Sequence, residues 1–268
     1  MVKEKQSLLL RVGADIGTNE MVLPFLHNET WVYIPIMDQP THFPHTYDEI
    51  FNSNFKDNHR LSHFLPNYQK NEKPHYDPEF WNFTYGEPLK DGGKYSQLKR
   101  LGKGDYLLFH AGMYSLNKNE VPLKHWVSTR IVEHYLIGYF VVEKLIEFES
   151  TKIQTDKKFK LGVELNAHFL RKEEESCFVI FGSPNQSKLL KFPLKITKNG
   201  DNVSPMNLIK ELKNRGLEKI SRRSGSGNWV PVEALDWTLS QVKNDPGYSH
   251  PFSKEELQDV IYKNKNYH

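Results

Sequence analysis

The sequence predicts an α+β fold: a mixed sheet with flanking helices and a mainly helical C-terminal portion. Three observations predict it. Runs rich in Tyr, Phe, Ile and Val at 106–109, 135–148 and 177–181 read as core strands, because aromatic and β-branched side chains suit a pleated, half-buried surface. The turn Gly102-Lys103-Gly104-Asp105 launches the first of these runs, with glycine tolerating positive φ and aspartate bonding the backbone that follows. Helix-start signals gather after Thr197, namely Ser204-Pro205 and Ser253-x-x-Glu256.

The chain has 268 residues, of which 38% are hydrophobic and 13% aromatic, enough for a sizeable core and against general disorder. The expected division is an α+β core over 1–197 and a basic, mainly helical extension over 198–268 packed on that core. No apolar run approaches the about 20 residues of a membrane helix. The basic start is followed only by Leu8 to Leu10, too short for the core of a signal peptide. The cytoplasm is therefore the expected address, with no membrane partner. One cysteine, Cys177, excludes an intramolecular disulfide and a cysteine-based zinc cluster, and its apolar surroundings read as a buried structural thiol. Net charge is +3 but uneven: residues 188–223 hold ten Lys/Arg against three acids. Such a segment suits either a phosphate-binding face or a solvated helix surface.

In chain order, Leu8 to Val12 reads as a strand delivering a polar loop that carries Asp15. Trp31 to Ile36 is a second strand, with Pro35 placing it at an edge or strand end. Residues 37–93 are irregular, aromatic and histidine-rich, holding His42, His45, His59, His63 and His75. His59 and His63 are four apart, yet no acid lies between them in a metalloprotease-like pattern, and no metal site is expected from this spacing. Thr46-x-x-Glu49 predicts a short helix over 47–51. Pro74-His75-Tyr76-Asp77-Pro78 brackets a histidine and an aspartate with residues that restrict the backbone. Glu164 to His168 is expected to follow a strand, residues 172–175 to form a solvated loop, and Gly182 to Lys188 to form a turn. With Ser187 and Lys188, that turn could hold a phosphate. A helix is expected over 205–215, ended by Gly216, and a last one from Ser253.

Six segments taken in order, RVGAD, PHYDPEFWNFTYGE, LGKGDYLLFHAGMY, YLIGYFVVEKL, ELNAH and FGSPNQSKLLKFPL, resemble the nucleotide modification associated domain 3 family over about residues 8–194. The resemblance implies a role in DNA modification or its recognition. One departure is visible: the N-terminal loop reads Ile16-Gly17-Thr18-Asn19 where such proteins commonly carry two consecutive glycines. More loosely, residues 102–148 resemble the centre of a PUA/EVE/ASCH-like barrel. That resemblance implies a partly barrel-like sheet and a pocket for a base.

Carried over, the family pattern points to Asp15, His75, Asp77 and His168 as catalytic candidates. Asn166, Trp81, Tyr85, Phe109, Ser187 and Lys188 become substrate-binding candidates. The carboxylates and imidazoles could perform acid–base chemistry, hold a divalent ion or read a base edge. The aromatics could wall a flipped base. The chain contains no GxxxxGK[ST] or GxGxxG fingerprint, so neither ATP nor NAD is expected and no cofactor is assigned. The expected partner is nucleic acid, DNA before RNA, alongside other components of a modification or defence system. The reading is an enzyme acting on DNA or nucleotides. Its alternative is a non-catalytic module binding modified bases.

Overall fold

Residues 4–12, 25–27, 30–37, 41–51, 60–65, 67–89, 93–116, 133–198, 207–220 and 226–264 are described by the computed structural model. In chain order the strands are β1 Ser7–Arg11, β2 Phe25–His27, β3 Thr30–Trp31, β4 Ile36–Met37, β5 Pro74–His75, β6 Thr84–Pro88, β7 Tyr106–Leu116, β8 Glu133–Phe148, β9 Cys177–Gly182, β10 Lys188–Lys195 and β11 Asn228–Trp229. The helices are α1 Gly93–Leu98, α2 Thr155–Leu161, α3 Ala167–Leu170, α4 Lys210–Lys213, α5 Val232–Val242 and α6 Lys254–Asn264.

The result is a mixed α/β structure built on one large sheet, whose strand path runs β11-β1-β7-β8-β9-β6. β1 lies parallel to β7, with Leu8 opposite Leu107, while β7, β8, β9 and β6 follow one another antiparallel. The period-2 alternation of a strand sorts side chains onto two faces. Leu8 and Leu10 join Leu107, Phe109, Ile137 and Phe140 in the larger cluster, together with Trp31, Tyr33, Phe43 and Tyr76. Leu9 points the other way, into a second cluster with Leu108, Leu136, Leu190, Ala234 and Leu235, so α5 covers that face. Burial on both faces explains why 106–109 and 135–142 read as continuous apolar runs rather than alternating ones.

The path has two distinct ends, β11 and β6, and no closed barrel forms among the described residues. The barrel expected from the central stretch is thus not found, and its turn forms with Asp105 bonding the backbone before it rather than the backbone that follows. Gly104 has φ +87°, and Asp105 accepts the backbone N–H groups of Gly102 at 2.8 Å and Gln6 at 3.0 Å. The turn therefore organises an open sheet.

β9 and β10 are two lengths of one interrupted strand. Both pair antiparallel with β8, β9 along 142–148 and β10 along 135–139. The intervening residues bulge out: Ser183 donates its N–H to the Val141 carbonyl, and the Ser187 hydroxyl accepts the Val141 N–H at 3.0 Å.

Several local expectations are corrected. Residues 47–49 form a turn rather than a helix, because the Tyr47 and Ile50 carbonyls accept from Ser62 and Leu61 and Phe51 bridges Arg60; of the capping box, only the Glu49 carboxylate accepting the Thr46 N–H at 2.8 Å survives. The stretch 31–36 is broken, with β3 ending at Trp31 and β4 starting at Ile36. Helix α2, not a strand, precedes 164–168. Of the helix expected over 205–215, only α4 is present among the described residues, because Leu208 bridges Thr197 in extended form; Gly216 still follows at φ +82°. The capping box at Ser253 forms: Glu256 accepts the Ser253 N–H at 2.7 Å, and Ser253 Oγ accepts the Glu256 N–H at 3.1 Å. The residues beyond 198 also contribute β11, which pairs with β1, so they add a strand to the sheet as well as helices. No helix among the described residues is long and apolar enough to cross a membrane.

Candidate functional site

β5 ends on His75, and Asp77 follows two residues later in a bend, with its carboxylate 4.0 Å from the His75 ring. The chain then reverses through a loop in which Glu79 and Thr84 exchange backbone hydrogen bonds. The buried Glu79 carboxylate holds that loop by accepting the N–H groups of Trp81 and Asn82 and the Thr84 hydroxyl. Burial pushes Glu79 up to about 7, against the lowering effect of those donors. The loop delivers β6, whose Gly86 N–H donates to Asp77 Oδ1 at 3.0 Å and so fixes the carboxylate. The Asp77–Pro78 peptide is cis.

His168 arrives from the other side. Asn166 caps α3, its side-chain oxygen accepting the His168 N–H at 3.1 Å, as short polar side chains do at helix starts. The Asn166 amide donates to Thr84 Oγ1 at 2.9 Å, tying the cap to β6. The His168 ring lies against Gly86, where a Cβ would stand 2.2 Å from its Cδ2, so glycine at 86 is what leaves room for the imidazole.

The three side chains converge. One ligand atom each from His75, Asp77 and His168 lies within 4.8 Å of the others. Asp77 Oδ2 stands 4.0 Å from His75 Nε2 and 3.8 Å from His168 Nε2. The rings of the two histidines are 5.5 Å apart and nearly perpendicular. Beyond His168, Glu175 Oε1 meets Nδ1 at 2.6 Å and also accepts from Arg171 at 3.0 Å. Burial opposes a charge on His168, but Asp77 and Glu175 on either side of the ring outweigh it, pushing the imidazole up to about 9. Partial burial raises Glu175, yet His168 and Arg171 win and its carboxyl falls below the usual range. A buried imidazole between two carboxylates can hold or pass a proton, and its two nitrogens face different partners.

Three of the four catalytic candidates are thus brought together, with Asn166 as the cap that orients one of them. Asp15 lies outside the described residues. Of the other candidates, Phe109 is fully buried and packs against Phe80 and Phe140, and Tyr85, next to Gly86, is 2% exposed; both belong to the core. Trp81 stacks edge-on to Tyr76 and donates its indole N–H to the Phe252 carbonyl. Ser187 closes the bulge on β8, and the Lys188 amine donates to the Asp245 carbonyl at 2.6 Å. Cys177 is fully buried, and burial raises its thiol pKa, as expected of a structural cysteine.

Sequence reasoning missed Glu175 and Gly86. Glu175 ends the acidic run read as a solvated loop, yet its side chain is only 21% exposed and lies against His168. The available signal was its place two residues before the buried strand at Cys177. Gly86 carried no signal beyond being a glycine in a strand, which can mark a close approach.

No curated protein and no solved structure matches the chain. The family match is extensive: residues 6–245 fit nucleotide modification associated domain 3, a span running from β1 through α5 and holding every residue of the cluster. The chain belongs to the nucleotide modification associated domain 3 family.

Proposed function

We propose that the protein is an enzyme of nucleotide modification that acts on DNA or on nucleotides at the His75–Asp77–His168 cluster. The observation that carries the reading is the convergence of two imidazoles and a carboxylate from segments about 90 residues apart, within 4.8 Å of one another. Strongly shifted groups such as His168 concentrate where proton transfer or ligand binding is needed. Family membership supports a role associated with nucleotide modification. In this reading Asp77 faces the reacting group, His75 and His168 flank it, and Glu175 with Asn166 positions His168. Other components of a modification or defence system are its expected partners, and DNA its expected polymer.

The alternative, a non-catalytic binder of modified bases, calls for an aromatic-lined opening. Tyr85 and Phe109, two of the walls it would use, are buried at 2% and 0% exposure. Part of its proposed phosphate face is also engaged: Lys188 bonds to Asp245, and Lys195 pairs with Glu133 at 2.6 Å.

The test is a nucleoside mass profile of DNA and of the free nucleotide pool from cells expressing wild-type protein, Asp77→Asn or His75→Ala. The expected result is a mass-shifted nucleoside with wild-type protein that falls at least tenfold with either variant. An identical profile in all three would end the enzyme reading.

A further inference from the structure

We infer that His75, Asp77 and His168 form a mononuclear site for a divalent first-row transition metal: iron(II), manganese(II) or zinc(II). The inference rests on reading this cluster as the working centre, but it concerns binding rather than turnover.

The donor atoms are arranged to meet at a point and not each other. Asp77 Oδ2 is 4.0 Å from His75 Nε2 and 3.8 Å from His168 Nε2, both beyond hydrogen-bond length. Bonds of about 2.0–2.1 Å to a tetrahedral ion would set ligand atoms about 3.4 Å apart. The two separations from Asp77 therefore close by about half an ångström, and that between the imidazole nitrogens, within 4.8 Å, by at most about 1.4 Å through side-chain rotation.

The atoms facing away from that point are anchored. His168 Nδ1 is held by Glu175 at 2.6 Å, and Arg171 steadies the same carboxylate oxygen at 3.0 Å. A carboxylate on the far nitrogen of an imidazole selects the tautomer whose Nε2 lone pair faces inward, the usual outer arrangement of metal-bound histidine. Asp77 Oδ1 is likewise held by the Gly86 N–H, which leaves Oδ2 turned to the imidazoles. Gly86 allows the His168 ring to seat directly against the backbone.

The donor set selects the class of ion. Two nitrogens and one oxygen disfavour magnesium and calcium, which take oxygen ligands, and suit iron, manganese and zinc. Three protein ligands leave coordination positions for water or substrate.

The test uses the full chain stripped with a chelator, then titrated with cobalt(II) as a spectroscopic probe, with zinc(II), and with iron(II) under anaerobic conditions. The expected result is one ion per chain, visible ligand-field absorption with cobalt, a rise in melting temperature with zinc, and no saturable binding of magnesium. His168→Ala and Asp77→Ala should each lower affinity at least 100-fold. Glu175→Gln, which spares the three ligands, should lower it about 10- to 100-fold with an unchanged circular dichroism spectrum. Absence of stoichiometric binding to wild-type protein, or unchanged affinity in Asp77→Ala, overturns the inference. Stoichiometric metal with no nucleoside change would sink the enzyme reading alone. A nucleoside change produced by stripped protein that binds no metal would sink the metal site alone.

Discussion

His168 and His110 are both buried imidazoles, 3% and 0% exposed, and each faces a second histidine, at ring separations of 5.5 Å and 5.1 Å. Their electrostatics are opposite. His168 lies between Asp77 and Glu175 and is pushed up to about 9. His110, on β7, meets His134 of β8 through their Nδ1 atoms at 3.1 Å, and its Nε2 has no hydrogen-bond partner among the described residues. Burial, with the Arg11 guanidinium alongside, pushes it down to about 3. Burial alone is nearly the same at the two places; the sign of the neighbouring charge decides whether the ring is an imidazolium or a neutral base. The first pair thus has carboxylates beside it that favour a positive charge, and the second is a polar contact inside the sheet.

The largest expected effect breaks the first pair without touching a titratable group. In Gly86→Ala, the new Cβ would meet the His168 ring, and overpacking should cost about 1–3 kcal/mol in chemical denaturation. It should also lower metal affinity by displacing His168. An unchanged unfolding midpoint together with unchanged cobalt absorption would show that the ring is not seated against β6 as described.

A smaller effect sharpens the second pair. His110 is depressed in the folded chain relative to its ordinary value of 6.5, so its contribution to stability is present above pH 6.5 and is lost as pH falls toward about 3. Between pH 6.5 and 5.5 that loss should amount to about 1 kcal/mol. Arg11 and His134 are the charged or titratable neighbours that face it. The difference in stability between wild-type protein and His110→Leu, followed by urea denaturation, should narrow by that amount over this range. Parallel curves would contradict the assignment.

The smallest effect probes how far the first pair leans on the C-terminal helix. α6 sends Gln258 to Glu164, whose Oε1 also accepts from Asn82 in the loop held by Glu79. Ser253→Ala removes the cap of α6 and should cost about 0.5–1 kcal/mol. Cobalt affinity should stay within twofold, because the metal ligands sit on β5, on the loop after it and on α3.

Much of the frame could be read from residues alone. The runs at 106–109, 135–142 and 177–181 are strands because burial on both faces demands continuous apolar sequence, and that signal survives without any partner being known. The Ser253 box is local chemistry and therefore equally legible. His75, Asp77 and His168 stood out through loop placement and the family pattern, but their meeting was not legible. It depends on Gly86, on the Glu79 loop and on α3 lying across β6, all of them tertiary facts. Glu175 was hidden because an acidic run looks solvated until the histidine beside it is known. Tyr85 and Phe109 are buried in the core, a placement their sequence does not distinguish from a pocket wall, because an aromatic-rich segment looks the same in both. Helix 47–51 failed because a capping signal cannot outweigh tertiary pairing: the Tyr47 and Ile50 carbonyls are taken by Ser62 and Leu61, and Phe51 bridges Arg60.

The pairing of β1 with β11 has a consequence for biosynthesis. Ser7 Oγ reaches the Val230 carbonyl, a contact 223 residues apart in sequence. At about 5–20 residues per second, a ribosome needs roughly 11–45 s between making the two. Throughout that interval the outer edge of β1 lacks its native neighbour, an invitation to pair with another nascent chain. Slowing translation upstream of β11 should therefore raise aggregation of newly made protein more than slowing it after residue 230.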